Sequence, residues 1–231
     1  MAESEAPEIR TIAIIGGTGK EGKGLAYRWA KAGYRIIIGS RQIEKAQAAA
    51  DEVAKLLSDP SVVSGEPNPV AAEKGDLVVL TVPFAAHVAM LEGIKQNLDG
   101  KILVDVTVPL VPPKVTKVQM PPAGSAAQEA QQVLGEGVQV VGAFQNISYE
   151  HLLNDEEVEC DVLVTGSSKA ARSAVIRLVE EAGMVGWDAG PIENSVVSEG
   201  LTSILIGLNK SFGTDSAGIR ITGLPRPEKK S

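Results

Sequence analysis

The 231-residue chain contains one cysteine, Cys160, and only two histidines, His87 and His151. A single thiol excludes an internal disulfide and any multi-thiolate zinc cage, and two imidazoles leave little from which to assemble a metal centre. Aromatic residues make up 3% of the sequence against 44% hydrophobic residues overall. The core is therefore aliphatic, which suits a parallel sheet buried on both faces. Positive charge is also scarce, with a formal net charge of −7. Such a field repels polyanions and argues against nucleic acid or an anionic membrane as partner, so any anionic ligand needs a local cationic cluster. No apolar run reaches membrane-spanning length, and the acidic residues 1–10 lack the apolar stretch of a secretory signal. The expectation is a cytoplasmic protein with a flexible leader over residues 1–10.

Short apolar runs at 11–15, 35–38, 76–82 and 101–106 alternate with helical periodicities, the signature of repeated strand–helix–strand units. A weaker strand is expected near Val62 and Val63, and further strands at 138–143, 161–165 and 184–187. Between the first two runs Leu25, Ala26, Trp29 and Ala30 share one helical face, and Gly33 is placed as a stop. The helix after Pro83 is expected to use Phe84, Val88, Leu91 and Ile94 as its apolar stripe. Residues 107–124 carry five prolines and predict a long extended loop leaving a strand end. A helix over 168–182 has Ser168 as N-cap and Gly183 as stop. Residues 195–208 form the most apolar helix, hydrophobic over more than one stripe, and so either a core helix or one partly at a subunit interface.

The sequence IAIIGGTGKEGKGL reads as a strand, a glycine cluster and an amphipathic helix. Gly17, Gly19 and Gly22 fit the GxGxxG spacing, and Gly16, Gly19 and Gly22 fit a GxxGxxG variant. Sequence does not choose between them. Either way, glycines allow a tight turn and close backbone approach to a pyrophosphate, which the helix N-terminal amides bind.

In such folds NAD-specific sites place a carboxylate at the tip of the second strand to meet the ribose 2′-hydroxyl. Here that tip reads Gly39, Ser40, Arg41. Ser40 can donate to a 2′-phosphate, Arg41 can pair with it through its planar fork, and Lys45 follows one helical turn later. Thr18 in the glycine loop adds a hydroxyl. The cofactor expected is NADP(H) rather than NAD(H).

No Ser/His/Asp set, no Tyr-x-x-x-Lys pair and no metal set is present. Carbonyl reduction needs a proton donor, whereas hydride transfer between two cofactor rings mainly needs face-to-face placement and water exclusion. The segments IAIIGGTGKEGKGLA, IIIGSRQIEKA, LTVPFAAH, VVGAFQNIS and EGLTSILIGLNKSFG, with Asp105-Val-Thr-Val-Pro109-Leu, resemble in order and spacing the NADP-dependent reductases of the deazaflavin coenzyme F420. The resemblance spans residues 11–224. It implies an α/β fold in which a Rossmann-type, mostly parallel sheet over 11–145 has helices on both faces and binds NADP. A smaller C-terminal α/β domain over 146–231 would complete the cleft and dimer contacts. It further implies a homodimer whose partners are otherwise small-molecule cofactors, and hydride transfer between nicotinamide C4 and deazaflavin C5.

By position, Gly16, Gly17, Thr18, Gly19, Gly22, Ser40, Arg41 and Lys45 match the family's NADP contacts, and Val82, Pro83 and Phe84 the segment beside the nicotinamide. His87 matches a family histidine near that segment, or else is an exposed first-turn helix residue. Ala143, Gln145, Asn146, Ile147 and Thr202 match the deazaflavin side, with His87, Gln145 and Thr202 as candidate catalytic groups. Gln145 stands where family members carry histidine, so it can hydrogen-bond ring carbonyls but not titrate. Val196 and Gly200 stand where a member has arginine and serine. Two other readings remain: an NADPH-dependent flavin or ferric reductase, and a nonenzymatic NADP-responsive sensor.

Overall fold

The computed structural model describes residues 8–155 and 157–226. Most of the leader expected over residues 1–10 lies outside them. The aliphatic runs pair into one eight-stranded sheet of order β3-β2-β1-β4-β5-β6-β7-β8. Its strands are β1 (Thr11–Ile15), β2 (Arg35–Ser40), β3 (Val63–Pro67), β4 (Leu77–Leu80), β5 (Ile102–Asp105), β6 (Gln139–Gly142), β7 (Asp161–Gly166) and β8 (Val185–Gly190). Pairing is parallel throughout except between β6 and β7. From that antiparallel junction β7 and β8 extend the same sheet.

The helices are α1 (Lys20–Lys31), α2 (Ile43–Ala54), α3 (Asn68–Lys74), α4 (His87–Ile94), α5 (Ala126–Leu134), α6 (Lys169–Glu181) and α7 (Ser195–Phe212). Alternation along β1 sends Ile12 and Ile14 to one face, into a core with residues of α1, α2 and α6. Ala13 and Ile15 point to the other, against α3, α4 and α5. A sheet covered on both faces is why its strands read as unbroken apolar runs. Trp29 of α1 locks three elements: Nε1 donates to the carbonyl of Leu178 on α6 at 2.8 Å, and its ring meets Phe144 edge-on at 5.7 Å.

Because β1 lies between β2 and β4, the chain reverses direction across the sheet at β1, and the crevice at the C-terminal strand ends there is the ligand position of such folds. Ser168 caps α6 by accepting from the Ala171 amide, and Gly183 follows with a φ of +84°. Residues 107–124 form the expected loop, without helix or strand.

Three expectations change. The stripe of α4 is His87, Leu91 and Ile94, while Phe84 lies in a preceding 3₁₀ turn and Val88 is exposed. Helices α3 and α5 were not anticipated. Helix α7 is not buried on all sides: Val196, Val197, Ile204, Leu208 and Phe212 face solvent, Phe212 with 78% of its surface.

Candidate active site

The phosphate loop follows β1 without a break. Gly16 takes a left-handed φ of +70°. A Cβ on Gly22 would lie 2.6 Å from Gly17 Cα, so these two glycines let the start of α1 close onto the strand end. Gly19 N-caps α1, and nothing lies within 4 Å of where its Cβ would be. The conformational demand sits on Gly16, the packing demand on Gly17 and Gly22, and Gly19 leaves the open approach. These features fit a pyrophosphate at the helix N-terminus.

A cavity of about 240 Å³ opens beside this loop and brings together Thr18, Ser40, Arg41, Lys45, Val82 and Pro83, joined by Gln42, Asn68, Ala86 and Met90. Arg41 and Lys45 are exposed and have no carboxylate partner among the described residues. Two unpaired cations on a chain of net negative charge, at a strand tip without a carboxylate, are a local anion site. Two larger hollows, of about 620 and 580 Å³, lie around Thr11 and Arg35 at the opposite ends of the strands and contain none of these residues.

The second half of the site is built at the ends of β5 and β6. Phe144 is fully buried in a left-handed conformation, φ 70°, which a non-glycine residue holds only when its surroundings enforce it. Its ring packs edge-on against Trp29 in the core. The turn aims Gln145 inward, where Nε2 donates to the Asp105 carbonyl at 2.9 Å. A carbonyl can only accept, so this bond fixes the amide orientation. Gln145 Oε1 is then left buried without a partner. The side chain therefore offers an acceptor, not the donor to ring carbonyls expected from its type. Thr202 of α7 donates to the Gln145 carbonyl at 2.7 Å. Asn146 is buried, with Nδ2 donating to the Asp161 carbonyl at 2.7 Å. Ala143 is buried and Ile147 half-buried beside it.

The structure therefore gathers the expected residues into two groups, one around the phosphate loop and one around Gln145 and Thr202. The turn carrying Val82, Pro83 and Phe84 belongs to the first. Comparison with known proteins identifies the chain. The model of the family described as NADP oxidoreductase, coenzyme F420-dependent, matches residues 11–109. Relatives named F420-dependent NADP reductase from Methanocaldococcus jannaschii and Methanothermobacter thermautotrophicus are both 41% identical to this chain. The matches cover 92% and 95% of this chain and 98% of each relative. The chain belongs to the family of F420-dependent NADP reductases.

A crystal structure of an Arthrobacter sp. FB24 protein, described as a candidate F420-dependent NADP-reductase, superposes with a TM-score of 0.77 at 24% identity. It covers 93% of this chain and 100% of that one, and supports the fold alone.

Within this family member, His87 requires a correction. It has no exposed surface: Nε2 lies 2.8 Å from Asp105 Oδ2 and Nδ1 2.9 Å from Glu129 Oε2. With both nitrogens engaged it cannot touch a ligand, and it is not an exposed first-turn residue either. Burial would lower its pKa, but the two carboxylates outweigh that and raise it. Glu199 of α7 completes the group, accepting from the Ala126 and Ala127 amides at the start of α5 at 2.7 and 3.0 Å. Burial pushes its carboxyl up to about 8 despite those amides.

Sequence reasoning missed Glu129, Glu199 and Asn68. Asn68 is buried in the cavity wall, and its Oδ1 accepts from the Gly16 amide at 3.3 Å. The available signal was Asp105, a lone carboxylate in the apolar run ILVDVTV, which at that position needs a buried partner.

Proposed function

We propose that the protein transfers a hydride between NADP(H) and coenzyme F420, with the 2′-phosphate held by Thr18, Ser40, Arg41 and Lys45. The observation that carries this reading is the match at 41% identity over 98% of each curated relative and more than nine-tenths of this chain, which takes in both groups of site residues. The unpaired cations at the tip of β2 support NADP over NAD on independent grounds.

When both are bound, the nicotinamide C4 and deazaflavin C5 supply the two ends of the hydride transfer. The residues of this chain bind and orient. Glycine-loop amides and the α1 N-terminus neutralise the pyrophosphate. Val82 to Phe84 form the turn beside the nicotinamide. Gln145, with its orphaned amide oxygen, would accept from a ring N–H on the deazaflavin side, and Thr202 fixes the backbone that presents it. Transfer between two rings needs no general acid at carbon, which agrees with a site whose strength lies in placement.

A homodimer is also proposed. Val197, Leu201, Ile204 and Leu208 run down one face of α7, and three of the four are more than a third exposed. A contiguous apolar stripe of this kind fits a second copy of the chain. Among the described residues no helix is long and apolar enough to cross a membrane.

Purified protein should oxidise NADPH with loss of the visible absorbance of oxidised F420. Turnover of a free flavin or ferric chelate, with no F420 reduction, would transfer support to the flavin or ferric reductase reading.

A further inference from the structure

The fully buried His87 lies where the two halves of the site meet. It opens α4 immediately after the Val82-to-Ala86 turn, and its ring stacks on Phe84 with centroids 5.9 Å apart and planes inclined by 28°. Three carboxyl groups face it from three elements: Asp105 of β5, Glu129 of α5 and Glu199 of α7. Two of them touch its ring nitrogens at 2.8 and 2.9 Å. A neutral imidazole has one N–H and one lone pair, and a lone pair aimed at a carboxylate oxygen at this distance is repelled. Two ionised carboxylates therefore require both nitrogens to carry protons. Asp105 Oδ1 accepts from the Thr107 amide at 3.0 Å, and Glu129 keeps 21% of its side chain in water. Glu199, pushed up by burial, stays largely protonated at neutral pH and adds little negative charge.

The same Asp105 leads to the other ring site. Its carbonyl accepts from Gln145 Nε2, and the Gln145 carbonyl accepts from Thr202. A continuous chain of contacts thus runs from Phe84 through His87, Asp105 and Gln145 to Thr202.

We propose that His87 is a positioning residue for hydride transfer, a buried imidazolium clamped between Asp105 and Glu129 that fixes the nicotinamide turn relative to the Gln145–Thr202 side. The proposal rests on the reaction assigned above. Hydride transfer is sensitive to the spacing of the reacting atoms, and a misplacement of about 1 Å costs about a hundredfold in rate. Losing one of the two protons would break one clamp and turn an attraction into a repulsion.

The test starts from the wild-type protein, which holds only two histidines, so histidine ¹⁵N labelling gives two ring systems. His151→Gln assigns them by elimination. At pH 7 both His87 nitrogens should appear in the protonated range, each with a slowly exchanging proton. Glu129→Gln, at a partly exposed position, should lower kcat for F420 reduction roughly tenfold or more, leave the Kd for NADPH within about twofold, and move the alkaline limb of kcat to lower pH. A bare nitrogen on His87 at pH 7 overturns the proposal, as does a Glu129→Gln enzyme with unchanged kcat and alkaline limb. In either case wild-type F420 reduction leaves the reaction assignment standing. If the wild type fails to reduce F420 with NADPH, the assignment fails, and the positioning role fails with it.

Discussion

Thr202, near the middle of α7, donates its hydroxyl to the backbone carbonyl of Gln145 at 2.7 Å, while the Gln145 side chain donates to the backbone carbonyl of Asp105. Two hydrogen bonds thus hold one residue from opposite sides and leave its amide oxygen buried without a donor. Removing the amide with Gln145→Leu deprives both the ligand and the Asp105 carbonyl. The protein should lose about 1–3 kcal/mol of stability for the stranded carbonyl. Affinity for F420 should fall about tenfold, corresponding to about 1.4 kcal/mol, with NADPH affinity unchanged. Urea denaturation and a fluorescence titration with F420 measure the two separately.

Arg41 should set cofactor choice. It projects from the tip of β2 into the cavity lining with no carboxylate to release before binding, so its interaction with a 2′-phosphate is uncompensated. Arg41→Ala should cost NADPH about 1.5–3 kcal/mol, roughly 10- to 100-fold in Kd, and leave NADH almost unaffected. Lys45→Ala should do the same more weakly, since an ammonium on a flexible stem makes no bidentate pair. Competitive titration with both cofactors checks this, and equal losses for NADPH and NADH would remove Arg41 from the phosphate site.

Most of the sheet was legible because buried parallel strands are continuous aliphatic runs, and 11–15, 35–38 and 161–165 all fall within observed strands. The phosphate loop was legible because its glycines, strand and helix are contiguous. Helix α3 was not, being seven residues long and opened by Asn68 and Pro69, nor was α5, whose glutamines blur its apolar face. The cluster around His87 joins residues 18 and 42 positions apart, and its members carry no local signal beyond the isolated Asp105. For helix α7 the sequence left two readings open for a different reason: an apolar side chain reads the same whether it faces the core of its own chain or another surface.

Two groups in that cluster tie stability to pH in the same direction. The Glu199 carboxyl, near 8 in the folded chain against 4.5 for the ordinary group, keeps a proton that the unfolded chain releases. The native state then binds more protons than the unfolded state between those values, so this contribution falls as pH rises through the window. His87, raised above 6.5, contributes stability that is complete below that value and is lost as pH climbs through its folded pKa. The melting temperature should therefore decline as pH rises through the Glu199 window, from about 4.5 to about 8, with His87 adding to the fall above pH 6.5. Glu199→Gln should be less stable at pH 6, because its amide group cannot accept from both the Ala126 and Ala127 amides, yet show a shallower decline between about pH 4.5 and 8. A decline as steep as in the wild type would mean that Glu199 does not carry the effect.

The apolar stripe on α7 gives the last expectation. Val197 is 65% exposed and Ile204 54% exposed, two helical turns apart on one face, yet Ser198, Glu199, Ser203 and Leu205 of the same helix are buried against the rest of the chain. A charge at Ile204 therefore enters water in a monomer and a hydrophobic contact in a dimer, where an unpaired carboxylate is costly. Ile204→Asp should leave the helical circular dichroism unchanged and shift the sedimentation coefficient from that of a dimer to that of a 24.1 kDa monomer. Ile204→Ala should only weaken association, since it removes burial without adding charge. If both variants and the wild type sediment alike as monomers, the stripe has another occupant. If Ile204→Asp stays dimeric, the dimer forms through a different face.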